Sequence, residues 1–251
     1  MDFMYDQICA LVFVLLPLSL LHSVEGAEST NVTFFSSADK TLNGACGYGE
    51  YGRTVNNGWI AVAAIANLYR NGAGCGACYK IKCKKAQCSE NGVVVVATDY
   101  VGAGNETGFM LSDNAFTKMA QPGGEKALLA YRTLDVEYDR VSCQYPGKTL
   151  LLKVLEDSRY NSYLSMQFLY QAGSYDITAV QVFDDENLEW LPCLRAYGAV
   201  WNLSKPPKGP LAVKFLLDGE STVTPRWVLM RKVLPAFWEP GTAYDTEIQL
   251  D

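Results

Sequence analysis

The sequence predicts a two-domain, all-β protein, and three observations carry that expectation. Turn signals recur between short apolar runs, at Asn56-Asn57-Gly58, Asn71-Gly72, Asn91-Gly92 and Asp218-Gly219. Six of the eight cysteines fall between Cys46 and Cys143. Past Gln144-Tyr145-Pro146-Gly147 the cysteine density ends and a new strand series begins at residues 149–154. A boundary there leaves pieces of about 119 and 105 residues, each large enough for its own core. With no internal repeat and no low-complexity linker, the two pieces are expected to pack together.

In chain order, residues 11–21 form an apolar block too short to span a bilayer, ending in Ser23-Val24-Glu25-Gly26-Ala27. A secretory signal over residues 1–26 is expected, cut near Gly26 or Ala27, although its leading part carries Asp2 and Asp6 and no Lys or Arg. The alternative, a buried N-terminal helix, finds no continuation in the polar residues 25–31. No later stretch is long and apolar enough for a membrane span, so no membrane partner is expected.

Cleavage would remove Cys9 and also His22, the single histidine in the chain. Without imidazole, Ser-His-Asp and Cys-His catalysis and His-containing zinc sites are excluded, and neither a metal nor a cofactor is expected. Acidic residues would fall from 27 to 24 against 21 basic ones, a mildly acidic balance that argues against nucleic acid. Three sequons, at Asn31, Asn105 and Asn202, suit a secreted glycoprotein.

Four cysteines crowd Gly74–Cys88, at Cys75, Cys78, Cys83 and Cys88, just before the strand-like Val93-Val94-Val95-Val96. A thioredoxin-like Cys75-x-x-Cys78 would need a βαβ setting that neither flank provides, and a zinc ribbon would want two paired clusters, whereas Cys143 stands alone. Outside the cell these cysteines predict a disulfide framework with fifteen possible pairings. A long link from Cys78 to Cys143 would stabilise by roughly 4 kcal/mol in the chain-entropy model. Cys193 is left over, as a small buried apolar residue.

The clearest helix covers residues 112–120, with Ser112 as N-cap and Pro122-Gly123-Gly124 as its stop. Residues 61–69 are ambiguous between helix and strand. Lys80, Lys82, Lys84 and Lys85 alternate around Ile81 and Cys83, a solvated face rather than a patch for acidic pectin. Gly102-Ala103-Gly104-x-x-Thr107 misses a dinucleotide fingerprint, lacking its last glycine and a βαβ unit. Asp99 follows a buried strand and is expected to be a groove or turn carboxylate.

In the second piece Leu164, Met166, Phe168 and Tyr170 share one strand face, so Tyr163, Ser165 and Gln167 should face away from that core. An outward tyrosine is a flat plate with a polar rim, suited to stacking on a sugar. Trp201 and Trp227 are expected in the core; Trp190 is undecided. Tyr197 shares parity with Trp201, so periodicity alone does not turn it outward.

The runs Gly44-Ala45-Cys46-Gly47-Tyr48-Gly49, Gly74-Cys75-Gly76-Ala77-Cys78-Tyr79-x-Ile81-x-Cys83, Val95-x-Ala97-Thr98-Asp99, Ala115-Phe116-x-x-Met119-Ala120 and Tyr197-Gly198-Ala199-Val200-Trp201 resemble the plant expansins in order and spacing. The resemblance covers residues 31–244 and is greatest to the expansin-like B group. It implies a six-stranded double-psi β-barrel over residues 29–145 and an immunoglobulin-like β-sandwich carbohydrate-binding domain over residues 147–245. It also implies the pairing Cys46–Cys75, Cys78–Cys143 and Cys83–Cys88. Expansins resemble small endoglucanases in their barrel, and hydrolysis needs a protonated acid beside the leaving oxygen. The residue at the acid's position, inside Gly108-Phe109-Met110, is Met110, which has no proton to give. Phe35 and Thr41 replace two further polar positions; Thr33 and Asp99 remain, and Tyr197 stands where expansins generally carry Trp.

These residues predict a secreted, monomeric cell-wall protein that binds cellulose, xyloglucan or another glucan without cutting it, through Thr33, Asp99, Tyr163 and Tyr197. Such binding would exchange hydrogen bonds and stacking contacts along the polymer and loosen the wall. Two other classes compete. One is a weak glycanase or transglycosylase pairing Asp99 with Glu106, Asp113 or Asp135; the other is a wall protein with no glycan contact.

Overall fold

The computed structural model describes residues 27–37, 44–102, 107–219 and 224–250. The expected signal segment, His22, Thr41, Asn105 and Glu106 lie outside the described residues. Six strands close a barrel: β1 (Glu28–Phe35), β2 (Ile60–Ala63), β3 (Cys78–Cys83), β4 (Val93–Tyr100), β5 (Thr107–Ser112) and β6 (Leu134–Val141), in the order β1-β5-β2-β4-β3-β6. β1 runs parallel to β5 and β2 parallel to β4, and β6 closes antiparallel onto β1. Alternation assigns Val32, Ala61, Ala63, Ala97, Phe109 and Leu111 to the interior, each at most 1% exposed. Ala63 pairs with Phe109, whose ring meets those of Tyr79 and Tyr138 at 5.1 Å each, so rings set among small side chains fill the interior.

The ambiguous stretch splits. Alternation holds through Ala63, and after an extended Ile65 the chain turns into a one-turn helix, α2, at Ala66–Tyr69, preceded by α1 at Gly49–Thr54. The helix expected over residues 112–120 forms as α3 (Asp113–Lys118), with the Ser112 hydroxyl accepting the Ala115 N–H at 3.2 Å; α4 (Glu125–Leu129) follows. The disulfides are Cys46–Cys75, Cys78–Cys143 and Cys83–Cys88. On the lysine-bearing strand, Lys80 and Lys82 stand opposite Asp139 and Glu137, and Lys84 bridges Glu137 at 2.8 Å, so the face is neutralised by its neighbour.

The second half is a sandwich of two sheets. Its strands are β7 (Leu151–Val154), β8 (Tyr163–Leu169), β9 (Asp176–Asp184), β10 (Glu189–Pro192), β11 (Leu194–Tyr197), β12 (Val200–Ser204), β13 (Leu211–Asp218), β14 (Arg226–Leu234) and β15 (Ala243–Asp245). The sheets run β10-β9-β13-β14 and β11-β12-β8-β7-β15. Leu164, Met166 and Phe168 meet Val182, Val213 and Phe215 between them. Trp201 is core as expected, and Cys193 is free and buried. Trp227 is not core: it is 44% exposed, because pairing with Leu216 turns it onto the outer face of β14 while Met230 takes the inner one.

Two arginines of the barrel clamp one carboxylate of the sandwich. Arg70 reaches both Asp176 oxygens at 2.8 and 2.9 Å, and Arg140 reaches the same pair at 2.5 and 3.3 Å. Backbone bonds join Cys143 and Gly173 in both directions, at 2.9 and 3.1 Å. Where the halves press closest only glycine fits. A Cβ on Gly72 would lie 2.4 Å from the Gly198 oxygen, and one on Gly198, at φ +47°, 2.1 Å from the Ala45 oxygen. The Gly198-Ala199 turn is therefore a domain contact, and the Ala199 N–H donates to the Cys46 carbonyl at 3.2 Å.

Candidate functional site: a groove and an adjoining aromatic face

Pairing carries Thr33 on β1 to Met110 on β5, Met110 to Val62 on β2, and Val62 to Asp99 on β4. Residues directly opposite share a face, so these four form one row on the barrel's outer surface. Two of the sequence-predicted residues, Thr33 and Asp99, end the row, and Met110 lies inside it. Beside it, Phe35, Ile60 and Val62 line a small cavity walled by Tyr48, Arg53, Thr98 and Asp99.

Asp99 is 6% exposed. One of its oxygens accepts the Ala45 and Tyr100 N–H groups, both at 2.8 Å, and the other accepts the Gly44 N–H at 3.3 Å. Three backbone donors on one carboxylate fasten the strap that carries Cys46 and Gly47 to the end of β4. No second carboxylate lines the cavity among the described residues. Asp113 is occupied at the start of α3, accepting the Ser37 and Asn114 N–H groups at 3.2 and 2.8 Å. Asp135 is exposed on β6 opposite Asn31 and does not line the cavity.

Tyr48, which lines the cavity, and the tyrosines packed behind it escaped the sequence reading. Tyr48 and Tyr51 pack at 5.4 Å, and Tyr51 meets Tyr170 edge-on at 5.1 Å while its hydroxyl accepts the Tyr170 N–H at 2.9 Å. Burial, more than the neighbouring Tyr145, pushes the Tyr48 and Tyr51 hydroxyls far up, and pushes Tyr145 up to about 12. Phenolates are thus suppressed here and the hydroxyls serve as neutral donors and acceptors. The available signal was the Gly47-Tyr48-Gly49-Glu50-Tyr51-Gly52 alternation, whose large rings need glycine neighbours to lie close.

On the sandwich, Ser204 opposes Tyr163, while Val200 opposes both Gln167 and Tyr197. Tyr163 and Tyr197 therefore share the outer face of the β11-β12-β8 sheet, about 13 Å apart along the strands at ~3.3 Å per residue. Tyr197 is 51% exposed. A register shift between Arg195 and Tyr197, followed by the tight Gly198 turn, reverses the parity that counting through Trp201 had suggested. Arg195 braces this turn, its guanidinium 4.2 Å from the Trp201 ring and donating to the Gly198 carbonyl at 2.6 Å.

Ser165 and Gln167 face away from the sandwich core as expected, but neither is open, at 0% and 1% exposure. The barrel covers this end of the sheet, and Gln167 donates to the Cys46 carbonyl at 3.1 Å. The Tyr163 hydroxyl accepts the Asn202 amide at 3.2 Å, so its ring leans along the strand across Ser165. At the other end a Cβ on Gly47 would stand 3.0 Å from the Tyr197 ring. The strap that Asp99 fastens thus joins the barrel cavity to the aromatic face.

Profiles of two families match the chain: one described as "Lytic transglycolase" over residues 61–133, the other as "Expansin C-terminal domain" over residues 152–239. Expansin-like B1 of Arabidopsis thaliana is 41% identical over 95% of this chain and 94% of its own length. Expansin-like B1 of Oryza sativa subsp. japonica is 44% identical over 84% and 82%. Among solved structures, the apo Clavibacter michiganensis expansin superposes with a TM-score of 0.66 at 20% identity, covering 88% of this chain and 96% of that one. A mutant of that expansin was crystallised in complex with cellohexaose. By identity across nearly its whole length, the chain belongs to the expansin family, among its expansin-like B members.

Proposed function

We propose that the protein is a secreted cell-wall protein that grips a β-glucan and does not cut it. One observation carries the reading. The outward row contains one carboxylate, Asp99, whose oxygens are engaged by three backbone N–H groups, and a thioether, Met110, on the far side of Val62 from it. Hydrolysis of a glycosidic bond needs a proton donor and a second group that acts on the opposite face of the sugar. Met110 holds no proton, and Asp99 serves the backbone. What remains is a hydroxyl-and-ring surface: Thr33 and the cavity rim on the barrel, Tyr163 and Tyr197 on the sandwich.

The cellohexaose complex of the Clavibacter protein supports a glucan as ligand. The reading takes residues 29–145 and 147–245 as the two domains and residues 1–26 as a removed signal. It takes the mature protein as a monomer whose effect on the wall is the exchange of polymer contacts.

The test is retention on cellulose together with reducing-end release from cellulose and xyloglucan. Retention without release is expected of the chain freed of N-glycans, with Tyr163→Ala plus Tyr197→Ala lowering retention about thirtyfold at an unchanged circular dichroism spectrum. Stacking is worth about 1 kcal/mol per ring, which sets that factor. Release of reducing ends that Asp99→Asn abolishes would establish a glycanase instead. Absence of retention by the wild type would leave a wall protein without glycan contact.

A further inference from the structure

The sequon Asn202-Leu203-Ser204 lies within β12, inside the aromatic face. Asn202 is paired with Ser165 on one side and with Leu194 on the other, which turns its side chain to the face shared by Tyr163 and Tyr197. Its amide nitrogen, the atom that a glycan would join, lies 3.2 Å from the Tyr163 hydroxyl. Leu194, 71% exposed, flanks it on β11. We propose that Asn202 is a glycosylation site whose glycan covers the Tyr163–Tyr197 face, so that modification of this one residue decides whether the face is open. The proposal rests on the reading of that face as a polysaccharide-binding surface.

The chemistry is a displacement on a lipid-diphosphate-linked oligosaccharide in the secretory pathway, completed before β12 pairs with β8. The amide nitrogen forms a bond to the anomeric carbon, the bond from that carbon to the diphosphate oxygen breaks, and the amide gives up one proton as the lipid diphosphate leaves. One N–H stays on the nitrogen and remains able to meet the Tyr163 hydroxyl. After folding, the first sugar stands at the edge of the Tyr163 ring with the apolar Leu194 on its other side. A tethered sugar is present at an effective concentration on the order of millimolar, so it outcompetes a polysaccharide that binds the same ring weakly. Asn31 offers the contrast. It lies on β1 of the barrel, opposite Thr107 and Asp135, and a glycan there leaves the sandwich face clear.

The test uses the full chain secreted from a glycosylating host, with peptide mass spectrometry reading occupancy at Asn202. Ser204→Ala removes the sequon while keeping the Asn202 amide and its bond to Tyr163, and Ser204 is exposed, so folding is unaffected. The expected result is an occupied Asn202 in the wild type and about tenfold higher cellulose retention for Ser204→Ala, a factor equal to about 1.4 kcal/mol. In parallel, nitration of Tyr163 is expected to be several-fold slower in the glycosylated form. An unmodified Asn202, or equal nitration of Tyr163 in the two forms, would overturn the proposal. If neither form is retained yet nitration differs, the covering stands and the polysaccharide reading falls.

Discussion

Replacing Asp99 by Asn separates a strap anchor from a catalytic acid or base. The amide is nearly isosteric, but it carries no charge and puts N–H groups where one carboxylate oxygen stood. That oxygen receives the Gly44 N–H at 3.3 Å, so two donors then face each other. The Ala45 and Tyr100 bonds at 2.8 Å survive as neutral ones. A hydrogen bond to a charged group contributes about 1.5–3 kcal/mol and a neutral one about 0.5–1.5, so two demoted bonds and one lost bond cost about 3.5–6 kcal/mol. For a chain that unfolds as one unit this corresponds to a fall in Tm of roughly 7–24 °C. Urea unfolding with the disulfides intact, read by tyrosine and tryptophan fluorescence, measures it. Since the strap also seats Tyr197, cellulose retention should fall with stability. A change under about 0.5 kcal/mol would refute the anchoring role, because a side chain that holds the strap cannot be neutralised without cost.

Further outcomes follow from other contacts. Gly198→Ala should destabilise by several kcal/mol and lower secreted yield, since its Cβ would lie 2.1 Å from the Ala45 oxygen at a φ of +47°. Asp176→Ala leaves Arg70 and Arg140 facing each other without their shared anion, at side-chain exposures of 32% and 12%. Discounted for that partial exposure, the loss is about 2–3 kcal/mol, and unfolding should split into two calorimetric transitions. Burial raises the Cys193 thiol from its ordinary 9.0 to about 12, so the unfolded chain ionises first. The associated stability is intact below pH 9 and is lost as pH climbs from 9 toward 12. Iodoacetamide should accordingly label Cys193 at pH 8 only in denaturant, as mass spectrometry of the peptide would show.

Local chemistry was legible before any fold. Turn residues and alternation determine an all-β chain, Ser112 determines where a helix starts, and cysteine density with a lone late Cys143 marks a disulfide-linked first half. The matching motifs determine the family, and Met110 is visible as a residue without a proton to donate. These are properties of neighbouring residues, which a sequence displays directly.

Where each side chain ends up was decided by contacts between distant segments. Ser165 and Gln167 point away from their own core yet are sealed, because the barrel and the Tyr163 ring lie over them. Trp227 reaches the surface through its pairing with Leu216, and Tyr197 joins the aromatic face through a register shift that parity counting cannot register. Asp99 becomes a strap anchor only when Gly44 and Ala45, more than fifty residues earlier, bring their N–H groups to it. Periodicity says which way a side chain leaves its own strand; what it then meets depends on strands and loops far away in the chain, and only the closed tertiary structure supplies them.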